Sequence, residues 1–252
     1  MTDPTPTPPT IEVRRRSRGG NLYTVNGQKF PGVTTLIKGG LAKDALTYWA
    51  ANMAAEYAVD HPDLIEQLGR DDAYDVIRRS PWNKRDRLAA TGTDIHHLAF
   101  LLSRGDEVDV PAELAAPVDQ CLKFLTEHDV EVIAAERPVA NVTWRYCGTF
   151  DLLANTKHGR ALVDYKTGAK GPYLDDALQL AAYRHAEWIV DGNGDVLPMP
   201  PVDVCLVCKI GGDHYELIPV EADQVTFRAF LHCASTTQFV DAIGDTFAGP
   251  PL

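Results

Sequence analysis

Asp164 and Lys166 stand two residues apart in Val163-Asp164-Tyr165-Lys166. In a strand, that spacing puts both on one face and turns Val163 and Tyr165 to the other. Upstream, Gly148-Thr149-Phe150-Asp151 ends in a second carboxylate. If the polar stretch between them turns a hairpin centred on Lys157 and His158, Ala154 faces Ala161 and Asp151 faces Asp164. Opposed positions lie about 4.5–5.5 Å apart at Cβ. Carboxylates at that range repel unless a cation lies between them, and their oxygens suit Mg²⁺ or Mn²⁺. A lysine on the same face could hold or polarise a water, or stabilise a developing oxyanion. An exposed hairpin face on which Lys166 merely pairs with Asp164 fits the same residues, and a one-residue slip would separate the carboxylates.

Three further features bear on this pair. Thr91-Gly92-Thr93-Asp94-Ile95-His96 lies on a helical pattern, with Gly92 one turn before His96, so a close approach is open there. His96 could add an imidazole ligand to a Mg²⁺ or Mn²⁺ site, or be an ordinary helix histidine. Gln179 and Tyr183, four apart on the helix after Lys166, share a face. Glu136, before Arg137-Pro138-Val139, could orient the site or pair with Arg137.

The elements that must position these residues can be read from period and punctuation. Residues 1–10, with four prolines, are expected to be a disordered tail. Residues 11–37 read as a β-hairpin, with Ile11–Arg14 and Leu22–Val25 strand-like, Asn26-Gly27 a strong turn, and Pro31–Ile37 extended or opening a helix. Residues 41–128 read as mainly helical, over 43–59, 63–69, 71–79, 84–104 and 112–128, with a break at Ser80-Pro81. From Val130 the period turns to strands: 130–139, 143–154 and 160–165. A helix is expected over 173–190 and a loop at Asp191–Asp195. A hairpin of 202–209 and 214–220 turned by Gly211-Gly212 follows, then a last helix over 222–243. This order predicts one α/β (α+β) domain over 11–252. It has a hairpin at 11–40, a helical insertion at 41–128 and a core at 129–243, with a central mixed sheet flanked by helices.

The 252 residues carry 24 Lys and Arg against 35 Asp and Glu, a formal net charge of −11, which argues against a generally basic nucleic-acid binder. It leaves room for a local basic surface. Residues 1–40 hold six basic residues (Arg14, Arg15, Arg16, Arg18, Lys29, Lys38) and two acidic ones, a net of +4. The hairpin is therefore either a solvated face or a contact for phosphates. No stretch approaches the roughly 18 apolar residues of a membrane span. The N-terminus lacks the apolar run of a signal peptide, so reduced thiols and a cytoplasmic location are expected. Neither GxxxxGK[ST] nor GxGxxG occurs, which argues against an NTP-driven motor or a dinucleotide cofactor.

Taken in order, Gly92-Thr-Asp-Ile-His96, Glu136, Gly148-x-x-Asp151, Asp164-x-Lys166 and Gln179-x-x-x-Tyr183 resemble the RecB-like and Cas4-like branch of the PD-(D/E)XK nuclease superfamily over about residues 90–220. The Tyr23-x-Val-x-Gly27 hairpin with Val33-Thr34-Thr35 resembles the N-terminal segment of phage-encoded members. The resemblance implies a restriction-endonuclease-like core and a Mg²⁺- or Mn²⁺-dependent exonuclease acting on DNA with a free end, in recombination, repair or phage DNA processing. It implies that His96, Asp151, Asp164 and the carbonyl of Tyr165 hold the metal and that Lys166 is the catalytic lysine. Gln179 and Tyr183 would position DNA, and Glu136 would assist. Arg14, Arg15 and Arg16 would extend a basic path to Lys166. A non-catalytic DNA-end-binding module of a recombination complex, on the same fold, is the alternative. A recombination or replication protein is a possible partner, and a membrane is not. Many Cas4-like nucleases hold a [4Fe–4S] cluster through one early and three late cysteines. Here Cys121 already follows the histidine motif, and Cys205 and Cys208 face opposite sides of a strand, which argues against a cluster.

Overall fold

The computed structural model describes residues 7–16, 20–42, 44–103, 106–167 and 171–247. Residues 1–6 of the expected tail lie outside these. Thr10, by contrast, is tied to the Asn26 turn: its N–H donates to Asn26 Oδ1 and its carbonyl accepts from Asn26 N–H, each at 2.9 Å. The turn joins the second strand to a third, so the expected hairpin is a three-stranded sheet of β1 (Ile11–Arg15), β2 (Asn21–Val25) and β3 (Gln28–Phe30). Asn26 at φ 49° and Gly27 at φ 75° are the left-handed pair such a tight turn requires. Pro31-Gly32 then opens α1 (Val33–Gly40).

The helical stretch comprises α2 (Asp44–Asp60), α3 (Pro62–Gln67), α4 (Arg70–Ser103) and α5 (Ala112–Glu127). The expected break at Ser80-Pro81 is corrected: α4 runs through Pro81. Proline lacks the N–H that Ile77 O would accept, and the Ser80 hydroxyl donates to that carbonyl instead, at 2.9 Å.

The main sheet has seven strands: β4 (Glu131–Asn141), β5 (Tyr146–Thr156), β6 (Gly159–Lys166), β7 (Trp188–Val190), β8 (Val196–Pro198), β9 (Val204–Ile210) and β10 (Tyr215–Pro219). Their order is β10-β9-β6-β5-β4-β7-β8, antiparallel except for the parallel pair β6–β9. Residues 142–145 form a turn between β4 and β5 rather than the start of a strand. Two strands replace the end of the expected 173–190 helix and the region after it. α6 (Leu174–Arg184) stops short, Asn141 Nδ2 donates to His185 O, and Trp188-Ile189-Val190, aromatic and β-branched, pairs with β4 as β7. Asp191 Oδ1 then accepts the N–H groups of Asn193 and Asp195, closing the turn into β8. α7 (Gln224–Ile243) begins at Asp223, whose carboxylate accepts from Val225 N–H and Thr226 N–H.

The sheet is covered on both faces. On one, Leu153, Leu162 and Cys205 pack with residues of α1, α6 and α7. On the other, Leu152, Val163 and Cys208 pack with Ile95 of α4 and Val118, Cys121 and Phe124 of α5. Cys205 and Cys208 thus face opposite sides, as the strand period requires. The small sheet closes onto the β4–β5 end through Tyr23, Val25 and Phe30 against Ala140 and Cys147. The fold is therefore α+β, with a mixed central sheet between helices. No described helix is long and apolar enough to cross a membrane.

Candidate active site

The β5–β6 register is the expected one: Ala154 pairs with Ala161 and Leu152 with Val163. The backbone pairing ends there. At the next position the Asp151 carboxylate takes over, its Oδ2 accepting the Tyr165 N–H at 2.8 Å.

The reason lies in the neighbouring ladder. Between β4 and β5 the pairs run Ala135–Leu152 and then Arg137–Phe150, with Glu136 and Asp151 left out between them. Both strands change phase at this step. Phe150 and Leu153 lie in the α6/α7 cluster, whereas Leu152 lies in the α4/α5 cluster. On β4, Ala134 and Val139 share one cluster while Ala135 belongs to the other. Glu136 has φ 52°, a left-handed conformation costly for a residue with a side chain. The register is continuous here, its irregularity lying between Val132 and Ala134, and the change of phase turns Glu136 and Asp151 together toward α4, where His96 meets them. Ligand atoms of His96, Glu136 and Asp151 all lie within 4.8 Å of one another, and His96 Nδ1 is 3.9 Å from Asp151 Oδ2.

Tyr165 serves this arrangement twice. Its N–H holds Asp151, and its ring lies 5.0 Å from the His96 ring, centroid to centroid. α4 comes close because Gly92 is bare: a Cβ there would stand 3.0 Å from Thr167 Oγ1. His96 Nε2 is buried without a hydrogen-bond partner among the described residues.

Asp164 and Lys166 point to the α6 side and stand outside this set of three. Lys166 Nζ lies against the Asp164 carboxylate and 3.4 Å from Asp176 Oδ1. Gln179 Nε2 donates to Asp164 Oδ1 at 2.9 Å. Gln179 therefore anchors a carboxylate in this structure. Tyr183 is buried, its ring occupying the space that a side chain at position 148 would take: a Cβ on Gly148 would stand 2.2 Å from Tyr183 Cε1. Sequence reasoning missed Asp176, although Asp176, Gln179 and Tyr183 fall on one helical face at steps of three and four.

The electrostatics reflect this crowding. Burial, then the charge of Asp151, pushes Glu136 up to about 7, although part of its side chain meets solvent. Burial and then Asp151 likewise push Asp164 up to about 7. Burial raises Asp151 also, against the pull of Lys166 and the Tyr165 N–H. His96 is pushed down to about 4, chiefly by burial. Burial disfavours the Lys166 charge, but Asp164 and then Asp176 outweigh it, and its pKa is raised. Three carboxylates whose charges are held back, with a neutral imidazole beside them, make a donor set of oxygen and nitrogen atoms suited to a hard or borderline divalent cation.

The N-terminal sheet borders this site. Arg15 is close enough to draw the Glu136 carboxyl downward. Arg16 lines a cleft of about 340 Å³ with Asn21, Thr34, Thr149, Gln179 and Tyr183, and among the described residues no acidic one lines it. Tyr23 OH meets Thr149 Oγ1 at 3.0 Å and Asn21 Nδ2 donates to Thr149 Oγ1 at 3.2 Å, fixing the small sheet to β5. Arg14 is exposed on β1, and Arg18 lies outside the described residues. The five cysteines are dispersed: Cys121 and Cys208 in one core cluster, Cys205 in another, Cys147 under the small sheet and Cys233 on α7.

No protein-family model matches the chain, and no curated protein matches it.

Proposed function

We propose that this protein is a divalent-metal-dependent deoxyribonuclease with a restriction-endonuclease-like core, of the RecB-like and Cas4-like kind, hydrolysing DNA from an end. The observation that carries the reading is the change of phase that aims Glu136 and Asp151 at His96, beside the same-face pair Asp164 and Lys166. A left-handed glutamate beside carboxylates with raised pKa values is the kind of arrangement that clusters at functional sites.

In this reading His96, Glu136 and Asp151 would hold Mg²⁺ or Mn²⁺, with Asp164 as a further carboxylate beside them. When bound, the cation supplies Lewis acidity toward the phosphodiester and the attacking water. Asp164, held by Gln179, would add its negative charge beside the cation. Lys166 Nζ orients the water or donates to a non-bridging phosphate oxygen. The water oxygen bonds to phosphorus and one bridging P–O bond breaks, leaving one phosphate end and one hydroxyl end. Tyr165 contributes its N–H to Asp151 and its ring to His96. The cleft beside Arg16, Gln179 and Tyr183 carries the strand backbone, and Arg14 and Arg15 add charge at its edge. The proposed setting is the cytoplasm, the host's if the protein is phage-encoded, in recombination, repair or phage DNA processing. A recombination or replication protein is the proposed partner.

The test is a time course on end-labelled single- and double-stranded DNA, linear and circular, with Mg²⁺, Mn²⁺ or EDTA. Linear DNA should shorten from its ends with metal and stay intact with EDTA. Lys166→Ala and Asp164→Ala should lose turnover while remaining folded. If both variants digest DNA like the parent, the site assignment fails. Metal-independent DNA binding without turnover would point instead to an end-binding module.

A further inference from the structure

We propose that Asp176 is the positioning residue for Lys166, holding its ammonium in place from the first turn of α6. This rests on the nuclease reading of the same site.

Lys166 is the last residue of β6, and its side chain is about one-third exposed, so the strand alone does not fix its tip. Two carboxylates reach it. Asp164 has competing attachments: Gln179 on one oxygen, and Asp151 with its cation site close by. A cation there would compete with Lys166 for the Asp164 carboxylate. Asp176 has no such conflict. Its Oδ2 accepts the Tyr173 N–H at 2.7 Å, which locks the carboxylate to the start of α6, and its Oδ1 is left facing Lys166 Nζ at 3.4 Å. The carboxylate itself is buried, its side chain 8 % exposed.

A helix start needs only a neutral acceptor, so asparagine would serve the Tyr173 N–H equally. The helix dipole also favours a negative charge at this end of α6, but the ammonium that the carboxylate meets is that of Lys166. α6 thus carries two holding contacts one turn apart: Asp176 on the lysine and Gln179 on the carboxylate. Misplacing a reacting group by about 1 Å is enough to lower a rate about 100-fold.

The test compares Asp176→Asn, which keeps an acceptor for Tyr173 but loses the charge, with Asp176→Glu, which keeps both. On labelled DNA with Mn²⁺, the asparagine variant should lose about 100-fold in kcat with KM and Tm near the parent's. The glutamate variant should recover most of that rate. In parallel, Lys166 of the metal-free proteins is acylated with acetic anhydride and followed by mass spectrometry. Its labelling should be several-fold faster in Asp176→Asn than in the parent or Asp176→Glu. Parental kcat in Asp176→Asn, or unchanged Lys166 labelling, overturns the proposal. A parent that cleaves no DNA overturns the nuclease reading, while the labelling still decides whether Asp176 holds Lys166.

Discussion

The sheet that carries Asp151, Asp164 and Lys166 and the helical segment that carries His96 are built to different standards. In β6 five of eight residues are buried, and its neighbours fill both faces. In α2 no described side chain is fully buried, and in α4 only Pro81, Gly92 and Ile95 are. A cavity of about 760 Å³ lies between these two helices, lined by Met53, Tyr57, Asp75, Arg79, Lys84 and Arg87 and by none of the candidate site's residues. Four of those six are charged, so the gap is no collapsed core. One ligand of the candidate site is thus presented from the end of α4 that seats on the sheet through Ile95, just past its loosely packed stretch, and the others by the sheet itself. The two meet where Gly92 lets α4 approach Thr167.

Packing substitutions should expose this contrast most strongly. Leu162→Ala, in the centre of the sheet, should lower unfolding free energy by about 2–5 kcal/mol. Tyr48→Ala, on the open face of α2, should stay within about 0.5 kcal/mol. Denaturant melts of both variants measure this, and similar losses would show that the arm is packed like the sheet.

A narrower contrast uses two glycines. Gly148→Ala drives a Cβ into the Tyr183 ring and should cost about 1–3 kcal/mol. Gly92→Ala meets only the hydroxyl end of Thr167, and alanine is the better helix former, so its effect should fall below about 1 kcal/mol. Equal losses in thermal melts would mean that α4 is seated as tightly as β5.

The meeting point should answer to pH. Glu136 is pushed up to about 7 from an ordinary value of 4.5, so the folded protein favours its protonated form. Its contribution is full below about 4.5 and is lost as pH rises through about 7. Glu136→Gln should therefore raise the metal-free Tm above pH 7 by roughly 1–2 °C, a modest figure because part of the side chain meets water, and leave it unchanged at pH 4. A gain of the same size at both pH values would remove the electrostatic explanation. The smallest effect is expected at the edge. Neutralising Arg14, Arg15 and Arg16 should weaken DNA binding and reduce its salt slope by roughly 0.7–0.9 for each phosphate left without a cationic partner, and an unchanged slope would take the small sheet out of the strand path.

Much of the sheet-borne half was legible in the residues. The polar stretch 155–159 between two apolar runs set the hairpin register, and period two put Asp164 and Lys166 on one face. The change of phase was not legible, because Glu136 reads as an ordinary strand residue and nothing local announces its left-handed backbone. It brings Glu136 into the His96 and Asp151 group and leaves Asp164 beside Lys166. The course of α4 was misread because Pro81 is the usual breaker, and its remedy, the Ser80 hydroxyl on Ile77, is a side-chain contact. The short strands β7 and β8 were lost because Trp188–Val190 also fits the end of a helical run, and only pairing with β4 decides otherwise.

As a cation site, His96, Glu136 and Asp151, with Asp164 beside them, should bind a divalent metal in solution. Calorimetric titration of Mn²⁺ into the metal-free protein at pH 6, in two buffers of different ionisation enthalpy, tests it most directly. Glu136, raised to about 7, must lose its proton to bind metal. One saturable event with net proton release is expected, abolished in Asp151→Asn. No saturable binding, or binding by Asp151→Asn indistinguishable from the parent's, would contradict it.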